Sequence, residues 1–229
     1  MTAITVDDLV RKILAGERDF NGTRLDPGSN IAAHAAELGA YLKTKDLRAE
    51  PVIAEGASWQ GVKLNGTFFQ GAKMAGADLT GADFSNADIR RGDYTNAILR
   101  GANFSGAAMT NTRMPGADFS GATMPFADIY EANLTGANLS GANLSSAWLI
   151  RLSLREANLT GTILTGTDLY RCDLRGAKGL AEAIDLATGK FHGTIVTENE
   201  YKVIAAALHD SSLFEFREEE PAGGGRPAH

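Results

Sequence analysis

A chain of 229 residues with 44% apolar and 22% charged side chains is long enough to bury a sizeable core, and its net charge of −6 argues against direct gripping of nucleic-acid phosphates. One cysteine excludes an intramolecular disulfide, and the chain opens without a basic segment followed by an apolar run, so a cytoplasmic protein without a membrane anchor is expected. The 26 glycines set against only 7% aromatics point to a thin core assembled from similar units.

In chain order, the first expected element is a helix from Val6 to about Ala15. Thr5 is its N-cap, Leu9, Val10, Ile13 and Leu14 form its apolar face, and Gly16 ends it, so it can cover an open end of whatever follows. The segment Asp19 to Leu25 places Phe20 and Leu25 five residues apart and reads as a fragment of a coil. Asn30 to Lys43 then reads as a second helix, inserted before the main stack. Residues 1–55 are thus expected to form an N-terminal cap.

From residue 56 to residue 178 one pattern repeats every five residues. Its large members run from Trp59 to Leu174, about 24 units, and from Leu79 onward no polar residue interrupts them. Two positions before each large residue the side chain is nearly always small, as at Ala77, Ala82, Ala102, Ala117, Ala137 and Ala157. The residue between them is usually Asp or Asn, and the two that follow favour Ser or Thr and then Gly or Asn. A period of five fits neither the helical 3.6 nor an unbroken period of two. Small, polar and large over three residues is instead a short strand with both ends turned inward, and the remaining two residues turn the chain. The uncharged run from Ala132 to Ile150 carries Asn133, Asn138 and Asn143, which a bilayer would reject.

The units ADLTG, ADFSN, ANFSG, ANLTG, ANLSG and ANLSS resemble the A(D/N)LxX signature of the pentapeptide repeat family over roughly half the chain. The resemblance implies an all-β solenoid, a right-handed quadrilateral β-helix with four repeats per turn. The 24 repeats would then make about six coils, a stack roughly 29 Å long at the ~4.8 Å spacing of paired strands.

Beyond Gly176 the period stops. Gly193 to Val196 reads as a strand, followed by a helix from Thr197 to Leu208 in which Thr197 and Glu200 form a capping box and Val203, Ile204, Ala207 and Leu208 an apolar side. Residues 179–216 are expected to cap the second open end with a short helix, because a bare solenoid terminus exposes core and strand edge. That cap is also a candidate contact in a homodimer. Residues 217–229, with Glu218, Glu219, Glu220, Pro221 and three glycines, have the composition of a disordered tail.

Reactive chemistry is not expected. His34, His192, His209 and His229 have no metal-ligand spacing, so neither a metal nor another cofactor is predicted. Cys172 stands at a small inward position and reads as a buried, inert thiol. Asn103, Asn133, Asn138, Asn143 and Asn158 match a glycosylation pattern that the repeat itself generates. Asp78, Asp83, Asp88 and Asp93 step round successive sides of the coil, which denies them the adjacency of an acid and base pair.

The chain is therefore read as a non-enzymatic scaffold presenting a rigid face to an unidentified protein partner. The pentapeptide repeat resemblance implies an alternative, because some members of that family are dimeric DNA mimics that bind DNA gyrase and confer fluoroquinolone resistance. Charge separates the two readings, since residues 56–178 carry 10 Asp and Glu against 11 Lys and Arg, a poor imitation of duplex phosphate. The candidate binding face is set by residues 20 apart. Tyr130, Trp148, Ile150 and Tyr170 fall on the outside of one side of the solenoid beside Glu131, Arg151 and Arg171. Aromatic side chains next to arginine are enriched at protein-binding hot spots. The competing expectation is that a cap or the inserted helix folds back over this side and makes it ordinary core.

Overall fold

Parallel bridges join the middle residue of each small–polar–large triplet to the residue 20 further on, from Ile53↔Lys73 through Asp118↔Asn138 to Asn158↔Lys178. A return every twenty residues means that four five-residue sides complete one coil, so the large residues stack in four columns. The first face carries Trp59, Leu79, Leu99, Phe119, Leu139 and Leu159; the second Leu64, Phe84, Phe104, Met124, Leu144 and Leu164. The third carries Phe69, Ile89, Met109, Ile129, Leu149 and Leu169; the fourth Met74, Tyr94, Met114, Leu134, Leu154 and Leu174. All 24 are buried. Phe84 and Phe104 stack at 4.8 Å between ring centres, within 3° of parallel, which is the coil-to-coil spacing expected of neighbouring strands. The computed structural model describes residues 1–47, 50–183, 185–188 and 190–207.

The backbone of one repeat explains its composition. In the unit Ala77 to Gly81, Ala77 donates to Met74 O at 3.1 Å across the turn, Asp78 to Ala57 O, Leu79 to Ile98 O and Gly81 to Arg100 O, each at 2.8 Å. The amide of Thr80 is left over, and the Asp78 carboxylate accepts it at 3.1 Å. The same side-chain turn recurs at Asp83, Asn103, Asp118, Asn138 and Asp168. Asp or Asn is thus favoured because a short acceptor closes the one amide that the ladder misses. Pro115 and Pro125 occupy that amide's position in repeats whose middle residue is Arg113 or Thr123, where no N–H needs an acceptor.

At the N-terminus, β1 (Thr2–Ala3) pairs in parallel with β2 (Thr23–Arg24), an element the sequence pattern did not suggest. Helix α1 (Val6–Leu14) follows. Thr5 Oγ1 accepts from Asp8 N at 3.1 Å, and Leu9, Val10 and Ile13 are buried. Phe20, Leu25 and Ile31 are buried as well, and the bridges Asp19↔Ile53, Arg24↔Ser58 and Asn30↔Lys63 place them on the fourth, first and second columns of a partial coil. The single helix expected from Asn30 to Lys43 is two elements. Asn30 Oδ1 caps a 3-10 turn (Ile31–His34) at Ala33 N, 3.1 Å away, and α2 (Ala35–Leu42) starts only after His34, whose φ of −106° breaks the helical run.

Past Gly176 the coil continues rather than stopping. Two 3-10 turns, Leu180–Glu182 and Leu186–Thr188, replace two sides, and the bridges Asp168↔Lys190 and Asp173↔Ile195 resume the ladder with a return of 22 residues. Phe191 and Val196 are buried on the third and fourth columns. Residues 193–196 are therefore part of a coil side and not a separate strand. Helix α3 (Glu198–Ala207) then begins; Glu200 accepts from Thr197 N at 2.6 Å and from Gly176 N at 3.0 Å, tying the helix start to the last full coil, and Ile204 is buried. The expected end of this helix at Leu208 and the expected tail over residues 217–229 lie outside the described residues. No helix among the described residues is long and apolar enough to cross a membrane.

Candidate functional site

Three outward rows run along the third face. The triplet middles are Phe68, Asp88, Ala108, Asp128, Trp148 and Asp168. The residues after the buried column are Gln70, Arg90, Thr110, Tyr130, Ile150 and Tyr170, continued by His192. At the corner stand Gly71, Arg91, Asn111, Glu131, Arg151 and Arg171. The structure brings the six predicted residues together on neighbouring coils: Trp148, Arg151 and Arg171 are exposed, and Tyr130, Ile150 and Tyr170 are half-buried. The Arg151 guanidinium donates to the Tyr130 hydroxyl at 3.1 Å and lies 3.4 Å from the Glu131 carboxylate. The Arg171 guanidinium sits 5.1 Å from the centre of the Tyr170 ring, and the His192 ring stacks on Tyr170 at 5.5 Å. Trp148 is 54% exposed.

Sequence reasoning missed Phe126, which is 64% exposed at the corner that leads into this face. The signal was available, because its position is one that Gly or Asn normally fills. The corner residue has positive φ throughout the stack. On the first face all six corners are glycine, Gly61, Gly81, Gly101, Gly121, Gly141 and Gly161, with φ between 62° and 66°. On the third face five successive corners, Arg91, Asn111, Glu131, Arg151 and Arg171, hold φ of 52° to 62° without a glycine among them. A left-handed conformation costs a residue with a Cβ about 1–2 kcal/mol. Asn111 is a residue that adopts this conformation readily, and Phe126, Ser146 and Glu156 adopt it on the second and fourth faces, so the third face differs in having four such Arg or Glu corners.

The inserted segment does fold back over the third face, but at its other end. An added Cβ on Gly39 of α2 would lie 3.7 Å from Phe68 Cβ, one on Gly71 would lie 3.0 Å from Leu47 O, and the Lys43 ammonium stands 5.5 Å over the Phe68 ring. Phe68 is covered, whereas Trp148, four coils along, is exposed.

The reactive-looking groups elsewhere are structural. Cys172 Sγ donates to Leu149 O at 2.6 Å, the position from which Thr162 and Thr167 donate to Leu139 O and Leu144 O, and burial pushes its thiol up to about 12. Such a thiol is neither a nucleophile nor a ligand at neutral pH. Asn138 accepts from Ser140 N and Asn158 Nδ2 while donating to Asp118, a ladder along the first face. Among the described residues no three His, Cys, Asp or Glu side chains are grouped to hold a metal ion. His34 pairs with Asp7 at 3.4 Å and Glu37 at 3.8 Å, while His209 and His229 lie outside the described residues.

Residues 56–91, 97–136 and 137–176 match the family described as pentapeptide repeats, in eight copies. Among solved structures, a trypsin-treated form of QnrB1, a plasmid-mediated fluoroquinolone resistance protein, is similar at 16% identity with a TM-score of 0.51, covering 82% of this chain and 89% of that one. HetL, a pentapeptide repeat protein involved in heterocyst differentiation regulation in the cyanobacterium Nostoc sp. strain PCC 7120, is 20% identical with a TM-score of 0.28, over 85% of this chain and 98% of its own. The first likeness carries the fold and nothing about function. No curated protein sequence matches. The return every twenty residues, the amide-closing Asp and Asn, and the family match over half the chain agree, and the chain belongs to the pentapeptide repeat family.

Proposed function

We propose that the chain is a non-enzymatic interaction scaffold, a right-handed quadrilateral β-helix of about six full coils closed at both ends by helices, whose third face engages a protein partner. The observation that carries the reading is one surface on which Trp148 and Phe126 are 54% and 64% exposed beside Tyr130, Tyr170, Arg151 and Arg171. Large amphipathic rings next to guanidinium groups are what hot spots are made of. A ladder-stiffened wall spares them the ordering cost that a loop would incur on binding. Mimicry of duplex DNA draws no support from the coils, where 10 acidic residues face 11 basic ones.

The test compares three baits in the host's own extract: the natural chain, Trp148→Ser with Tyr170→Ser, and Ser140→Asp on the first face. The proposal expects one protein, or a second copy of the chain, to be retained by the first and third baits and lost from the second, with melting temperatures that agree within about a degree. Equal retention by all three, or a melting temperature several degrees lower for the double variant, overturns it.

A further inference from the structure

Where the inserted segment folds over the third face it leaves a cleft of about 450 Å³, inside the size range of small-molecule sites. One wall is the insertion, with Lys43 and Lys45; the other is the β-helix, with Lys73 and Arg91; the lining includes the Phe68 ring and a single carboxylate, Asp46. The acids that flank Arg91 are already taken, Asp88 by Arg90 at 2.6 Å and Asp93, the ladder neighbour of Lys73, by Arg113 at 3.5 Å. Among the described residues none of the four cations pairs with a carboxylate. Two of them rest on rings instead, Lys43 over Phe68 at 5.5 Å and Lys45 over Tyr41 at 4.8 Å. Four cationic residues against one carboxylate around a concave space give it a net positive potential. Arg91 also holds its place at φ 62°, where the coil below has Gly71. Neither packing nor turn geometry asks for arginine there.

We propose that this cleft binds a small anion carrying two or more phosphate groups, which bridges Lys43 and Lys45 of the insertion to Lys73 and Arg91 of the β-helix wall. Charge-assisted hydrogen bonds from both walls then neutralise the cluster and clamp the insertion onto the solenoid. The site is separate from the exposed aromatic surface, so it stands whether or not that surface binds a protein.

The experiment is isothermal titration calorimetry of the full chain with inorganic pyrophosphate, ADP and adenosine, at low and at physiological salt. The expected result is one pyrophosphate or ADP per chain, weaker at the higher salt, and no binding of adenosine. Equal affinities for the two anions would identify the phosphates as the whole ligand, and tighter binding of ADP would identify a nucleotide using the apolar lining beside Phe68. Lys73→Gln and Arg91→Gly should each weaken binding about ten-fold or more, the equivalent of ~1.4 kcal/mol. Arg91→Gly should not lower the melting temperature, because it relieves a strained corner, which keeps loss of binding distinct from loss of fold. Arg171→Gly, at the same corner four coils away, should leave binding unchanged. No binding of either anion, undiminished binding by Arg91→Gly, or equal weakening by Arg171→Gly would overturn the site. So would tighter binding of a poly-glutamate peptide than of pyrophosphate.

Discussion

The first and third faces are built on the same five-residue unit and are maintained differently. On the first face every corner is glycine, and Asp118, Asn138 and Asn158 hold each other as well as the amides two residues on. On the third face five successive corners do without glycine, and the rows beside them carry Trp148, Tyr130 and Tyr170. The unit therefore sets what the fold prefers at a position, and the third face departs from it at more corners than the second and fourth, which do so at Phe126, Ser146 and Glu156, while the first does not depart at all. A periodic protein carries its own control in this way, since the fold is constant while only the outward residues change.

The largest effect should come from the buried columns behind the faces. Leu139 is buried in the first column, and Leu139→Asp places an unpaired carboxylate among apolar neighbours one coil above and below, at a cost of several kcal/mol at least. Ser140→Asp, one residue on, should change stability by less than ~0.5 kcal/mol. Equal denaturation midpoints for the two variants would refute the inward and outward register.

The corners come next. Gly141 has φ 66° and nothing within 4 Å of an added Cβ, so Gly141→Arg meets no clash and isolates the conformational term, about 1–2 kcal/mol destabilising. Denaturant unfolding should show that loss; its absence would mean that the arginines of the third face sit at their corners without strain.

A smaller contrast is pH-dependent. Burial raises the Asp118 carboxyl, but hydrogen bonds from Arg100 and Ser120 outweigh it and leave the group below its ordinary pKa. A folded-state pKa below the unfolded one stabilises the fold above the unfolded value, near pH ~3.9, and that stabilisation is lost as pH falls through the folded value. Asp118→Asn should therefore flatten the fall of melting temperature on the acid side. An unchanged acid limb would show that the Arg100 contact contributes nothing in solution. The smallest effect belongs to Trp148→Ser with Tyr170→Ser, whose melting temperature should match the natural chain's because these rings lie outside the column.

How far the sequence alone leads follows from the same comparison. The column from Trp59 to Leu174 and the grouping of Tyr130, Trp148, Ile150 and Tyr170 were legible because periodicity forces residues 20 apart onto one side. The turn at the C-terminus was not, because two extra residues in one coil shift Phe191 and Val196 out of phase although they keep their spacing of five. β1 left no trace because two residues carry no period. Phe126 was overlooked because a large side chain at a left-handed corner contradicts the unit, and contradiction reads as noise until the backbone is seen. Which stretch of the third face the insertion covers depends on where α2 is tethered, and no local pattern around Phe68 encodes that.

The claim that the third face is kept for something other than folding is tested most directly by one melting temperature, that of the chain with Glu131→Gly, Arg151→Gly and Arg171→Gly together. These changes remove three left-handed residues that carry a Cβ, together with exposed contacts of the kind that contributes little, such as the Arg151–Glu131 pair. The melting temperature should stay level or rise. A fall of several degrees would show that the row supports the fold and would contradict the account.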